Sequence, residues 1–117
     1  MAQEPDPQPT GAVALTLERS GDAHHPVIEA AGEIDVATSP LLRAELAEAL
    51  EQGPDTVTLD LARVSFIDSS GLGVLVGALK RLREHQADAT LRVVHTQDAV
   101  RKVFDITGLD ELFELRG

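Results

Sequence analysis

VSFIDSSGLGVLVGALKRLR, Val64 to Arg83, decides how this chain is read. Four mostly apolar residues, Val64 to Ile67, lead into Asp68, which is followed by two hydroxyls and a glycine before a long apolar periodicity begins. Leu72, Leu75, Val76, Leu79 and Leu82 then recur at spacings of three and four, the pattern of a helix with one buried stripe. Lys80, Arg81 and Arg83 fall in its last turns, where the negative end of the helix dipole favours cations. The stretch reads as a strand, a polar junction and a helix.

The same periods organise the flanks. In AVALTLER, Val13, Leu15 and Leu17 alternate with polar or small residues, as in a half-buried strand. SGDAHHP is a polar turn and VIEAAG, Val27 to Gly32, a second strand, so the two predict a hairpin. Ser39-Pro40 supplies a cap and a first-turn proline for a helix carrying Leu42, Leu46, Ala49 and Leu50 on one face, with Gly53 just past its end. TVTLDL, Thr56 to Leu61, and TLRVVH, Thr90 to His95, are strand-like. Thr96 is placed to cap a helix bearing Val100, Val103 and Phe104 that stops at Gly108, and LFELR forms a short last strand.

Strands that alternate with amphipathic helices imply crossover units on a mixed, mostly parallel sheet, here opened by an antiparallel hairpin. The fold class is α/β. Residues 1–11, with Pro5, Pro7 and Pro9 among acids and glutamines, read as a disordered tail, and residues 12–117 as one domain.

Composition narrows the function. Ten basic against twenty acidic residues give a net charge of -10, which repels nucleic-acid phosphates and anionic lipid surfaces. With three Phe and no Trp or Tyr there is no aromatic platform for stacking bases. Zero cysteines exclude disulfides and thiol chemistry, and no apolar run reaches the roughly 20 residues that span a bilayer. The expectation is a cytoplasmic protein that binds neither nucleic acid nor membrane.

Enzyme signatures are weak. Gly71, Gly73 and Gly77 give GxGxxxG, which is not the dinucleotide fingerprint, and no phosphate-binding GxxxxGK[ST] or nucleophile GxSxG occurs. His24-His25 beside Asp22 fits a turn better than a metal site, because adjacent extended side chains point apart and no third ligand is evident. Glu45, Glu48 and Glu51 fit the wet face of the first helix, and His85 and His95 fit a helix end and a strand end. No catalytic residue, metal or cofactor is expected.

The junction itself admits two readings. Asp68 or Ser69 can cap the helix with a side-chain oxygen. One capping oxygen suffices, however, and three polar side chains precede the first apolar helical residue. A serine at a helix amino terminus is also a favourable place for a phosphate, since exposed NH groups and the dipole stabilise its charge.

VSFIDSSGLGVLVGALKR closely resembles the signature of the STAS domains, specifically the bacterial anti-sigma factor antagonists. GEID, Gly32 to Asp35, is similar to the loop after the family's second strand, and VRKVFDITGL, Val100 to Leu109, to its helix and turn before the last strand. The resemblance implies a STAS fold in which Ser69 is the phosphorylation target and Ser70 stands where the family takes Ser or Thr. It also implies that Asp68 shapes the loop, that Gly71 leaves room for an approaching partner, and that Gly32, Glu33, Asp35, Leu72 and Gly73 belong to the partner-binding surface. The function implied is that of an antagonist that binds an anti-sigma factor serine kinase when unphosphorylated and so frees a sigma factor. The kinase, carrying the ATP and magnesium, then phosphorylates the antagonist, and a phosphoserine phosphatase resets it. The rival on the same fold is a scaffold subunit of a stress-sensing assembly or of a lipid transporter. Family members usually carry a further helix after the last strand, so a chain ending at Gly117 either lacks that helix or has been trimmed of it.

Overall fold

A computed structural model describes residues 15–116; the expected tail at residues 1–11 lies outside the described residues. Strand β1 (Thr16–Gly21) and strand β2 (Pro26–Ile34) form the opening hairpin. Helix α1 (Ser39–Leu50), strand β3 (Thr56–Ile67), helix α2 (Ser69–His85), strand β4 (Thr90–Val94), helix α3 (Asp98–Thr107), a 3-10 turn (Leu109–Glu111) and strand β5 (Glu114–Arg116) follow. The five strands lie in sequence order, β1 antiparallel to β2 and every later neighbour parallel. This is the expected mixed α/β sheet.

Register explains which side carries the core. Ile28 is paired with Leu59 and Leu59 with Val93, and all three are fully buried. One residue along, Glu29 is paired with Asp60 and Asp60 with Val94, a row that is half-buried or exposed. The side-chain period of two therefore gives the sheet one dry and one wet face. Helices α1 and α2 pack side by side, presenting Leu42, Leu46, Leu75 and Leu79 to the core. Val100 and Phe104 of α3 complete it, the Phe104 ring standing edge-on to Phe113 at 5.9 Å.

The edge strand is tied down by charge. Arg19, on the same side of the sheet as its neighbour Ile28, donates from Nη2 to Glu48 and forms an ion pair through Nε with Glu45, both at 2.8 Å. Two acids expected merely to face solvent thus clamp α1 to β1. In the hairpin turn, Asp22 Oδ1 accepts the backbone NH groups of His24 and His25 at 2.9 Å each. These bonds, that from His25 foremost, hold the Asp22 carboxyl below its ordinary pKa.

Several boundaries differ from the sequence-based expectation. The N-cap position of α1 is Thr38, not Ser39, and that of α3 is Gln97, not Thr96; neither side chain caps its helix. Gln97 instead donates from Nε2 to the Ala62 carbonyl at 3.0 Å, joining the start of α3 to β3. Strand β4 stops at Val94 because His95 takes φ 61°, and β5 is reduced to three residues, with Phe113 buried before it. Gly108 ends α3 with φ 77°, where a glycine was read as the stop.

The tightest packing lies where α2 meets the sheet. A Cβ on Gly71 would stand 2.5 Å from Ile34 Cγ2 and 2.8 Å from Ile67 Cγ1, so the ends of β2 and β3 occupy the space a side chain would need. At Gly77 nothing lies within 4 Å of such an atom. Gly71→Ala is therefore expected to lower unfolding free energy by about 1–3 kcal/mol through overpacking. Gly77→Ala should leave it unchanged or raise it by up to about 1 kcal/mol. Urea unfolding of both variants checks this contrast, and equal midpoints would contradict it.

Candidate functional site

Asp68 sits between β3 and α2 with extended backbone, and its Oδ1 accepts from Ser70 N at 2.9 Å and Gly71 N at 3.3 Å. Asp68 is thus the cap, and its own NH donates to the Ile34 carbonyl at 3.2 Å, fixing the helix start to the end of β2. Leu72 N continues the helix onto the Asp68 carbonyl at 3.0 Å. The two serines are free of this work. Ser69 is exposed as the first residue of α2, Ser70 is half-buried, and neither hydroxyl has a hydrogen-bond partner among the described residues.

This arrangement corrects part of the electrostatic expectation for the junction. The NH groups at a helix amino terminus attract anions when they are unpaired. Here Asp68 already holds those of Ser70 and Gly71. A phosphate on Ser69 would feel the helix dipole but would find those donors taken and a carboxylate next in sequence. Its charge would remain turned outward.

The β2–α1 loop forms the neighbouring wall. Gly32 adopts φ 125°, which favours glycine, and the β2–β3 register shifts between Gly32 and Glu33. Asp35 Oδ1 accepts Ala37 N at 2.9 Å and Thr38 N at 3.0 Å. The buried Thr38 hydroxyl donates to the Glu33 carbonyl at 2.7 Å and accepts Asp35 N at 2.9 Å. The loop is held rigidly by its own polar groups, with Asp35 serving as an internal staple.

The structure brings Gly32, Glu33, Asp35, Asp68, Ser69 and Ser70 to the carboxyl ends of β2 and β3. Gly71 and Leu72 are placed otherwise than expected. Gly71 is buried and makes room for Ile34 and Ile67 rather than for a partner, and Leu72, 4% exposed, points into the core. Gly73 lies exposed one helical turn beyond Ser69. Sequence reasoning missed three apolar side chains at this edge: Val36 in the β2–α1 loop, Leu41 in the first turn of α1 and Phe66 near the end of β3 are 75%, 52% and 45% exposed. Val36, a branched apolar residue in the loop between Asp35 and Thr38, was the one visible signal.

The chemistry available is that of a presented alcohol. No imidazole, amine or carboxylate is hydrogen-bonded to the hydroxyl of Ser69 or Ser70 among the described residues. His25 and His95 are engaged elsewhere, with Asp55 at 2.8 Å and Asp60 at 3.2 Å. An exposed hydroxyl on a capped helix start, at a sheet edge that also carries acids and exposed apolar side chains, is accessible to another protein.

Comparison with known proteins accords with this geometry. The family model of the STAS domain matches residues 14–117. The anti-sigma-B factor antagonist of Staphylococcus epidermidis is 39% identical over 88 residues, which cover 75% of this chain and 80% of that protein. The crystal structure of an anti-sigma factor antagonist from Mycobacterium paratuberculosis superposes with a TM-score of 0.79 at 28% identity, covering 88% of this chain and 86% of the other. The Bacillus cell fate determinant SpoIIAA in its phosphorylated form superposes with a TM-score of 0.66, also at 28% identity, covering 89% and 91%. The five-stranded sheet, the serine-bearing junction and a match over nearly the whole length agree: the chain belongs to the STAS domain family.

Proposed function

We propose that this chain is an anti-sigma factor antagonist that binds an anti-sigma factor serine kinase through the rim around Ser69 and is switched off when that kinase phosphorylates Ser69. The observation that carries this reading is the Ser69 hydroxyl, exposed and unbonded at a helix start whose cap is already supplied by Asp68. Relatives bear the antagonist name, and one structural neighbour was determined in a phosphorylated form. The chain is protein substrate and ligand; ATP and magnesium belong to the kinase, and a phosphoserine phosphatase restores the binding form. No helix among the described residues is long and apolar enough to cross a membrane. The proposed site of action is the cytoplasm, where ATP and the transcription machinery are found.

Electrostatics make one hydroxyl sufficient. A phosphate adds about -1.5 to -2 charge. A unit charge about 4 Å from a like charge costs about 4 kcal/mol at an effective dielectric of about 20. Solvent reduces that, yet about 1.4 kcal/mol already weakens a complex tenfold. In the bound state the partner surface excludes water from the rim, so the penalty is greatest where release is needed.

Two predictions test the reading. Incubated with the anti-sigma kinase and ATP, the chain should acquire phosphate on Ser69; Ser69→Asp should weaken the complex about tenfold or more, and Ser69→Ala should bind and stay bound. Phosphate confined to Ser70 by mass spectrometry, or undiminished binding by Ser69→Asp, would overturn it. The apolar rim gives the second prediction. Val36→Ser and Phe66→Ser should each weaken kinase binding by about 1–2 kcal/mol in calorimetry, because each removes an exposed apolar side chain from the contact. Their unfolding midpoints should stay near that of the parent chain.

A further inference from the structure

Helices α1 and α2 leave a groove of about 390 Å³ between them on the outer surface, running from the level of Gly73 down to Glu84. The groove is open because Ala47, Gly73, Gly77 and Ala78 offer little or no side chain to fill it. Gly73 and Gly77 are exposed, one turn apart in the middle of a 17-residue helix, and nothing lies within 4 Å of where either Cβ would stand. Nothing in the fold therefore requires glycine at either place, although glycine in a helix interior costs stability relative to alanine.

The rim has a distinct charge. Arg43, Lys80 and Arg81 line the groove, and none of them makes an ion pair among the described residues. Outside the groove Arg19, Arg92, Arg101 and Arg116 are each paired with a carboxylate, while Arg63, Arg83 and Lys102 form no ion pair among the described residues but do not line it. In a chain of net charge -10, these three cations outnumber the one acid that lines the groove, Glu84 at its lower end, and give it a local field of the opposite sign.

We propose that this groove is a docking site for an amphipathic helix of a protein partner, with small apolar residues on its inner face and Asp or Glu along its flanks. The glycine stripe allows the incoming backbone to approach as closely as helices pack, about 8 Å between axes. The flanking acids meet Arg43 on one side and Lys80 and Arg81 on the other, while the apolar face covers the floor, the groove-binding mode of amphipathic helices. The groove begins at Gly73, one turn beyond Ser69, and does not include the Ser69 hydroxyl.

The test titrates the isotope-labelled chain with a synthetic helical peptide of about four turns carrying an Ala/Leu stripe flanked by Glu, and with a twin in which Lys replaces every Glu. The acidic peptide is expected to shift the Gly73 and Gly77 amide resonances with Kd at or below about 1 mM, more weakly as salt is raised, while the basic twin leaves them in place. Gly77→Leu, which fills the floor, and Arg81→Glu, which reverses the rim, should each weaken the acidic peptide about tenfold. Should Gly77→Leu fail to fold, Arg81→Glu at an exposed side chain keeps the test decisive. Equal binding of both peptides, no shift at either glycine, or shifts produced instead by phosphatidylglycerol vesicles or by raising the protein's own concentration would overturn the proposal.

Discussion

The geometry of this protein depends on how closely α2 can be laid against the ends of β2 and β3. At Gly71 there is no room for even a methyl group between the helix and Ile34 and Ile67. Once that contact is made, the rotation of α2 is set: Gly71, Leu72 and Leu75 turn inward, and Ser69, Gly73 and Gly77 are left outside. The steps of four residues from Ser69 to Gly73, Gly77 and Arg81 keep these positions on one side of a helix with 3.6 residues per turn. The exposed serine and the open groove follow from the same close contact.

Much of this was legible because burial imposes periods. Alternation in β4 and the three-and-four spacing in α2 report which side chains face the core, and a mostly parallel sheet with an opening hairpin followed from the alternation of strand and helix. What could not be read was irregular pairing. Strand β3 carries extra residues relative to β2, so its buried positions step from Leu61 to Val64 to Ile67 instead of by twos. Those shifts turn Phe66 outward, and nothing in VSFID announces them. Gly71 was misjudged for a related reason: a glycine beside a functional serine invites a functional role, whereas its neighbours across the sheet, distant in sequence, claim the space first.

The caps were misread by one residue because several hydroxyls and acids compete for each helix start. At α1, Thr38 is drawn away from capping by the Glu33 carbonyl and the Asp35 amide, bonds that exist only once the loop has closed. At α2, by contrast, Asp68 wins outright through two backbone NH groups, and the serines after it are relieved of any structural duty. Polar residues at such a junction are divided between those that hold the turn and those that are shown to solvent.

That division has a consequence for the proposed switch. Were the first-turn NH groups free, a phosphate on Ser69 could fold back onto them and be largely neutralised within the chain. Because Asp68 already occupies two of these donors, the added charge has no internal sink at those positions and stays on the surface that a partner must cover. Bringing an apolar contact such as Phe66 or Val36 against a partner then means desolvating a dianion close by, which is costly unless that partner supplies cations. The capping carboxylate thus does two things with one group: it secures the helix, and by using up the local donors it leaves any phosphate on Ser69 to be read by the other protein.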